Sequence, residues 1–197
     1  MKKIVFILIT FVAMVSCSIE DSQLDRTIFI PDENDNNLPA YTESGYNVFG
    51  AKYERKYFTA DKSIVPCKIM YSNGSVRFLL SGVTANSYPQ QTMSLTFIFP
   101  SEQISDYSGL LLLDKVKVDL SQCVVKMNIN GMEKTLNIVK GNLNFKRVQK
   151  LCIDDLPNRI ILSGTFELQF LTTSEFPEKI SDGRFDVGIT DMDFYIN

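Results

Sequence analysis

Apolar and polar residues alternate with a period of two along most of the chain after Tyr46. Val116, Val118 and Leu120 interleave with Lys115, Lys117 and Asp119. Phe166, Leu168 and Phe170 interleave with Thr165, Glu167 and Gln169, and Phe185, Val187 and Ile189 with Arg184, Asp186 and Gly188. Leu95, Phe97 and Phe99 share one face of a third segment, and Val76, Phe78 and Leu80 one face of a fourth. Such alternation predicts antiparallel strands with one face on a core and one in water. The best helical candidate is short, from Ser101 to Leu113, and Gly109 weakens it. Asn73-Gly74 and Asn130-Gly131 each separate two apolar runs, the strongest two-residue hairpin signal. Lys140-Gly141-Asn142 and Leu156-Pro157-Asn158 read as further turns, and Thr172 to Asp182 as a longer loop. The count comes to about nine to eleven strands. So many strands in one domain predict an all-β fold, because a flat sheet would leave one apolar face wet. An antiparallel β-sandwich is the first expectation and a lipocalin-like β-barrel the alternative.

The first residues follow another pattern. Lys2 and Lys3 precede an uncharged apolar run from Ile4 to Val15, then Ser16 and Cys17. A basic start, a short apolar core and a small residue describe a secretory signal. The run is shorter than the roughly 18 residues a membrane-crossing helix needs. Met14-Val15-Ser16-Cys17 resembles a bacterial lipobox, which implies acylation of the Cys17 sulfur and cleavage before it. Acyl chains would then hold the chain to a membrane. Glu20 and Asp21 resemble the acidic surface-export signal of Bacteroidetes lipoproteins, implying an outer-membrane lipoprotein exposed at the cell surface. The expected organisation is a signal peptide over 1–16, then the lipidated Cys17 with an acidic tether and lead-in segment over 17–44. A single all-β domain follows over 45–197. Thr27-Ile28-Phe29-Ile30 is a small apolar island in the lead-in segment, expected to dock locally. Asp32 to Asn37 is polar and acidic, and is expected to stay solvated.

Composition narrows the chemistry. The chain of 197 residues has a formal net charge of −3, and loss of Lys2 and Lys3 makes it more acidic. With no basic block, there is no electrostatic footprint for nucleic acid. The chain has no His, which removes His-dependent triads and the usual zinc, copper and non-haem iron sites. The absence of Trp removes the strongest sugar-stacking ring. Beyond Cys17 there are Cys67, Cys123 and Cys152, none in a C-x-x-C pair. Each lies in or beside an apolar stretch and reads as a small hydrophobe. No cofactor is expected.

Leu38-Pro39-Ala40-Tyr41-Thr42-Glu43-Ser44-Gly45-Tyr46-Asn47-Val48-Phe49-Gly50 is distinctive. It resembles the Leu-Pro-x-x-Thr-x-x-Gly-x-Asn-x-Phe-Gly opening of a family of small Bacteroidetes lipoproteins of unknown function. Ser163-Gly164-Thr165-Phe166 and Asp182-Gly183-Arg184-Phe185-Asp186-Val187 resemble the family's closing strands. Tyr53-Glu54-Arg55-Lys56 departs from the family, which often has an Asn-Gly turn there. The resemblance implies an extracytoplasmic β domain and no particular chemistry. The residues themselves suggest that Gly45 and Gly50 supply backbone freedom and that Phe49 anchors the core. Arg184 is expected to pair with Asp182 and Asp186.

Two groups of side chains are candidate sites. Tyr46, Tyr53, Tyr57 and Tyr71, interleaved with Lys52, Arg55 and Lys56, offer a binding surface of aromatic rings with polar ends. Asp191 and Asp193, two apart on a strand pattern, form with Asp186 an acidic cluster able to supply oxygen ligands to Ca²⁺. Asp154 and Asp155 are adjacent, so a strand would point them opposite ways, which suits an acidic turn better than a glycosidase pair. No nucleophile elbow or phosphate-cradling Gly loop is present. The favoured function is therefore non-catalytic: a lipid-tethered module binding a glycan, a small apolar ligand or an envelope protein. A carboxylate-dependent hydrolase and a structural subunit of a surface assembly are the alternatives.

Overall fold

The computed structural model describes residues 27–61, 66–85, 88–152 and 159–196. Cys17, the signal segment, Asp154, Asp155 and the Pro157 turn lie outside the described residues. The protein is all-β: a strongly curled, essentially antiparallel sheet that forms a half-barrel. In chain order the strands are β1 (Val48–Tyr53), β2 (Lys56–Thr59), β3 (Cys67–Ser72) and β4 (Ser75–Thr84). Next come β5 (Thr92–Pro100), β6 (Lys117–Asp119), β7 (Val124–Ile129) and β8 (Met132–Thr135). The last four are β9 (Asn137–Leu151), β10 (Arg159–Leu171), β11 (Pro177–Ile189) and β12 (Phe194–Ile196).

The order across the sheet is β6-β9-β10-β11-β1-β2-β4-β5-β7-β8, with β3 beside β4. The exception to antiparallel pairing is β12, which runs parallel to β3. The sheet folds over where β2 meets β4, a junction of two residue pairs, Phe58 with Thr84 and Thr59 with Val83. At the opposite margin the chain passes through Leu136 from β8, which pairs β7, into β9, which pairs β10. The two halves of the curled sheet thus face each other across one core. Phe97 of β5 meets Phe166 of β10 at 5.4 Å between ring centres. Phe78 of β4 meets Phe145 of β9 at 5.3 Å and Phe185 of β11 at 5.1 Å. Edge-to-face rings at these separations are favourable beyond the area they bury. Phe49 is fully buried among them, as expected of a core anchor.

The Asn-Gly turns form as the sequence predicts. Asn73 and Gly74, and Asn130 and Gly131, all have positive φ, the geometry of tight hairpin turns whose twist matches the flanking strands. Glu54 and Arg55 make the same two-residue connection between β1 and β2, with φ of 48° and 64° and no glycine.

Other segments differ from the expectation. Lys140-Gly141-Asn142 is not a turn but the middle of β9. A Cβ on Gly141 would lie 2.7 Å from the Glu167 carbonyl oxygen and 2.8 Å from Leu168 Cβ, so glycine serves close approach to β10. The loop expected from Thr172 to Asp182 ends at Phe176, because β11 begins at Pro177. The helical candidate reduces to a 3₁₀ turn over Ser108–Leu113. Lys117–Asp119 pairs with β9, and its neighbour Leu120 opens a second 3₁₀ turn, Leu120–Gln122. The described residues hold twelve strands, above the sequence count.

Residues 27–47 form a strap across the outside of the sheet, its first part beside β1 and β2 and its last part over β11 and β10. The Ile28 amide donates to the Tyr46 carbonyl and the Ala40 amide to the Ile30 carbonyl, while Pro31 bridges Pro39. Asp32 to Asn37, expected to be solvated tether, is a closed loop in which the Asp32 amide donates to Leu38 and the Leu38 amide to Asp35. Leu38 is buried beneath it. The strap explains why Ile160–Gly164 and Phe185–Ile189 are buried on both faces, where period two expects one face in water.

Candidate ligand groove

Below the strap, the outer face of β6, β9, β10 and β11 carries two adjoining concavities of about 410 and about 200 Å³ that share Asn142 and Glu167. Strand register builds this groove. Lys117, Asn144, Thr165 and Arg184 stand in one row across four strands. Lys140, Gln169 and Lys179 stand in another. Between them Asn142 opposes Glu167. Directly opposed residues of an antiparallel pair project to the same face about 4.5–5.5 Å apart, so the rows form a continuous polar surface. The pairing of β10 with β11 shifts between Phe166 and Leu168, and that of β9 with β10 between Gln169 and Phe170. Such bulges bend a sheet and re-aim its side chains. On the core face beneath the groove, a Cβ on Gly183 would lie 2.5 Å from the Phe166 ring, so glycine there lets the core ring pack against β11.

Asn142, Asn144, Thr165, Glu167 and Gln169 make no side-chain hydrogen bond among the described residues. Three amides, a hydroxyl and a carboxylate thus line the two adjoining concavities with their side-chain hydrogen-bonding capacity unused among the described residues. Tyr41 of the strap forms one wall. Its hydroxyl donates to Glu43 at 2.8 Å, and the Lys146 ammonium lies 4.7 Å from its ring centre. Burial first, and the bond to Glu43 second, push the Tyr41 hydroxyl above its ordinary pKa, so the ring stays neutral.

The wall is held by Asp186. This carboxylate is buried beneath the strap and accepts from the Thr42 hydroxyl and from the Ser44, Gly45 and Tyr46 amides. From below it accepts the Ser163 hydroxyl at 2.8 Å. Gly45 is at φ 74°, a conformation that suits glycine. Asn47 Oδ1 accepts from the Gly188 amide at 3.0 Å. Gly50 matters for contact, not backbone freedom, since a Cβ there would lie 2.4 Å from Pro39 Cδ. Arg184, expected to pair with Asp182 and Asp186, forms its ion pair with Asp32 instead and also donates to the Pro39 carbonyl. The Asn34 amide and then Arg184 hold the Asp32 carboxyl below its ordinary pKa. The distinctive motifs at the two ends of the chain thus meet as one latch.

The acidic cluster is not assembled. Asp186 is enclosed by its five donors. Asp191 and Asp193 lie in a 3₁₀ turn, not on a strand, and Asp193 accepts from the Thr190 amide and hydroxyl. Among the described residues no group of three His, Cys, Asp or Glu is placed to hold a metal ion. The four tyrosines are dispersed as well. Tyr53 is buried, packs on Phe170 and donates to Glu178 at 2.7 Å. Tyr57 lies under Lys52, Tyr71 packs against the core from β3, and Tyr46 sits in the strap. None of these four lines the groove. Tyr41, which does, stands two residues after Pro39, at an unspecified position of the opening motif, so the motif does not single it out. Cys67, Cys123 and Cys152 are free thiols, and burial pushes the Cys67 and Cys123 thiols upward.

A separate apolar concavity of about 340 Å³ lies at the end of the half-barrel, lined by Phe99, Ile104, Leu112, Leu113, Val116 and Val118 among others. Comparison with family models, with curated proteins and with solved structures gives no match for this chain.

Proposed function

We propose that the protein is a lipid-tethered, non-catalytic binding module of the bacterial cell envelope, and that the groove on the outer face of β9 to β11 takes a glycan. One observation carries the ligand reading. The uncommitted amides, hydroxyl and carboxylate of Asn142, Asn144, Thr165, Glu167 and Gln169 line the two adjoining concavities of one groove, with a tyrosine ring at one wall. A polyhydroxylated ligand suits such a lining, because each hydroxyl both donates and accepts and so satisfies amides and carboxylates alike. The tether rests on the lipobox resemblance of Met14–Cys17 and the cell-surface location on Glu20 and Asp21.

Two measurements test the proposal. Intact mass of protein extracted from membranes should begin at Cys17 with acyl chains added, and a Cys17→Ala variant should lose them. The detergent-solubilised lipoprotein should select oligosaccharides on a glycan array. A mass without lipid removes the tether, and an array without a hit removes the glycan. A second reading, a small apolar ligand, is favoured by the concavity bordered by Phe99 and Leu113. A fatty acid displacing a fluorescent probe from that end would select it.

A further inference from the structure

The Lys140, Gln169 and Lys179 row has an uncommon charge pattern for a sheet. Gln169 opposes Lys140 on one side and Lys179 on the other. Two cations therefore flank one neutral amide on a single face. Across paired strands, opposite charges stabilise and like charges oppose one another, yet no acid stands in this row. Glu167, two residues away on β10, borders the same recess and forms no ion pair with either lysine among the described residues. At the other end of the groove stands Lys117, and Lys146 covers the Tyr41 wall. A chain of formal charge −3 thus presents its groove with a local excess of cations.

We propose that this row is an anion site and that the saccharide bound in the groove is acidic, its carboxylate or sulfate seated between Lys140 and Lys179 with the Gln169 amide beneath. This rests on the glycan reading above and narrows it. Strands stand about 4.7–4.9 Å apart, so two flexible lysines one strand removed from Gln169 converge on a single small anion. An ammonium is a compact charge with rotatable donors, suited to a ring-borne carboxylate or sulfate whose orientation is fixed elsewhere by Asn142 and Asn144. A flat bilayer surface would meet the lysine tips but not the amides recessed between them, which favours a saccharide over lipid headgroups.

The test uses the solubilised lipoprotein in isothermal titration with oligogalacturonate, with a sulfated oligosaccharide and with a neutral oligosaccharide of matched length. At low salt the acidic ligands should bind roughly tenfold tighter than the neutral one, the size of a lost charge-assisted contact. The preference should shrink as salt rises from about 50 to about 500 mM. Lys140→Gln/Lys179→Gln should abolish the preference while leaving the melting temperature unchanged. Lys68→Gln, an exposed charge on β3, should change neither. Neutral ligands bound as tightly as acidic ones, or a preference that survives in the double variant, would overturn the anion site and leave the glycan reading standing. Binding of none of the three would remove both. Anionic vesicles that bind the wild type and not the double variant, with saccharides ignored, would assign the row to lipid and overturn the proposal.

Discussion

At the scale of single residues, Asp186 does the most. A buried carboxylate is tolerated only when its charge is met by donors, and here the strap supplies four of them and Ser163 the fifth. Asp186→Asn replaces an acceptor oxygen with a donor that faces other donors. Bonds to a charged group are worth about 1.5–3 kcal/mol each before relaxation, so the substitution should destabilise by about 3 kcal/mol. Urea denaturation reads this, and a change under about 0.5 kcal/mol would show that the latch holds little. Asp32 makes a second claim. Its folded pKa is depressed, so the strap gains stability above the ordinary aspartate range and loses it as pH falls through the folded value. Below about pH 3.8 the Ile28 and Ala40 amides should exchange hydrogen sooner than those of β4 and β5. Strap amides that stay as protected as the central strands would contradict this. The period-two pattern places Asp186 on the solvent side of β11, opposite to Phe185 and Val187. That reading of the strand is right, and the burial was hidden because no strand pattern reports that a non-strand segment covers its outer face.

Among elements, the β1–β2 hairpin carries the clearest prediction. Glu54 and Arg55 both occupy the left-handed region, which costs a non-glycine residue about 1–2 kcal/mol. Glu54→Asn/Arg55→Gly fits the same turn with residues that prefer it and should raise stability by about 1 kcal/mol. A melting temperature that does not rise would mean the flanking pairs, not the turn, set the geometry. Much at this scale was legible. The alternation gave the core faces of β4, β5, β10 and β11, and two Asn-Gly pairs gave their hairpins. Glycine was the ambiguous signal. Lys140-Gly141-Asn142 reads like a turn, yet Gly141 is there so that β9 can approach Leu168. A turn and a close approach both ask for a missing side chain, and the sequence alone does not separate them. The four tyrosines misled for a related reason: Tyr53, Tyr57 and Tyr71 lie on different strands and Tyr46 in the strap, and sequence proximity in the first half of the chain says nothing of which face each occupies.

For the whole molecule, curling sets what is available for function. The core fills the space between the two halves of the sheet, with Phe78 and Phe97 reaching across to Phe145, Phe166 and Phe185. A packed interior leaves binding to the outer face, where bulges and the strap wall shape the groove. The latch and the groove are therefore linked: residues of the distinctive motifs hold Tyr41 in place, and Tyr41 bounds the groove. A chain tethered just before the strap would present that face at a short distance from its membrane. The direct measurement is backbone chemical-shift mapping on isotopically labelled protein titrated with the saccharide that the array selects. The largest shifts should cluster at Asn142, Asn144, Thr165, Glu167 and Gln169, with Tyr41 following. Shifts centred instead on Phe99, Ile104 and Leu113, or scattered without a centre, would contradict the groove as the binding site.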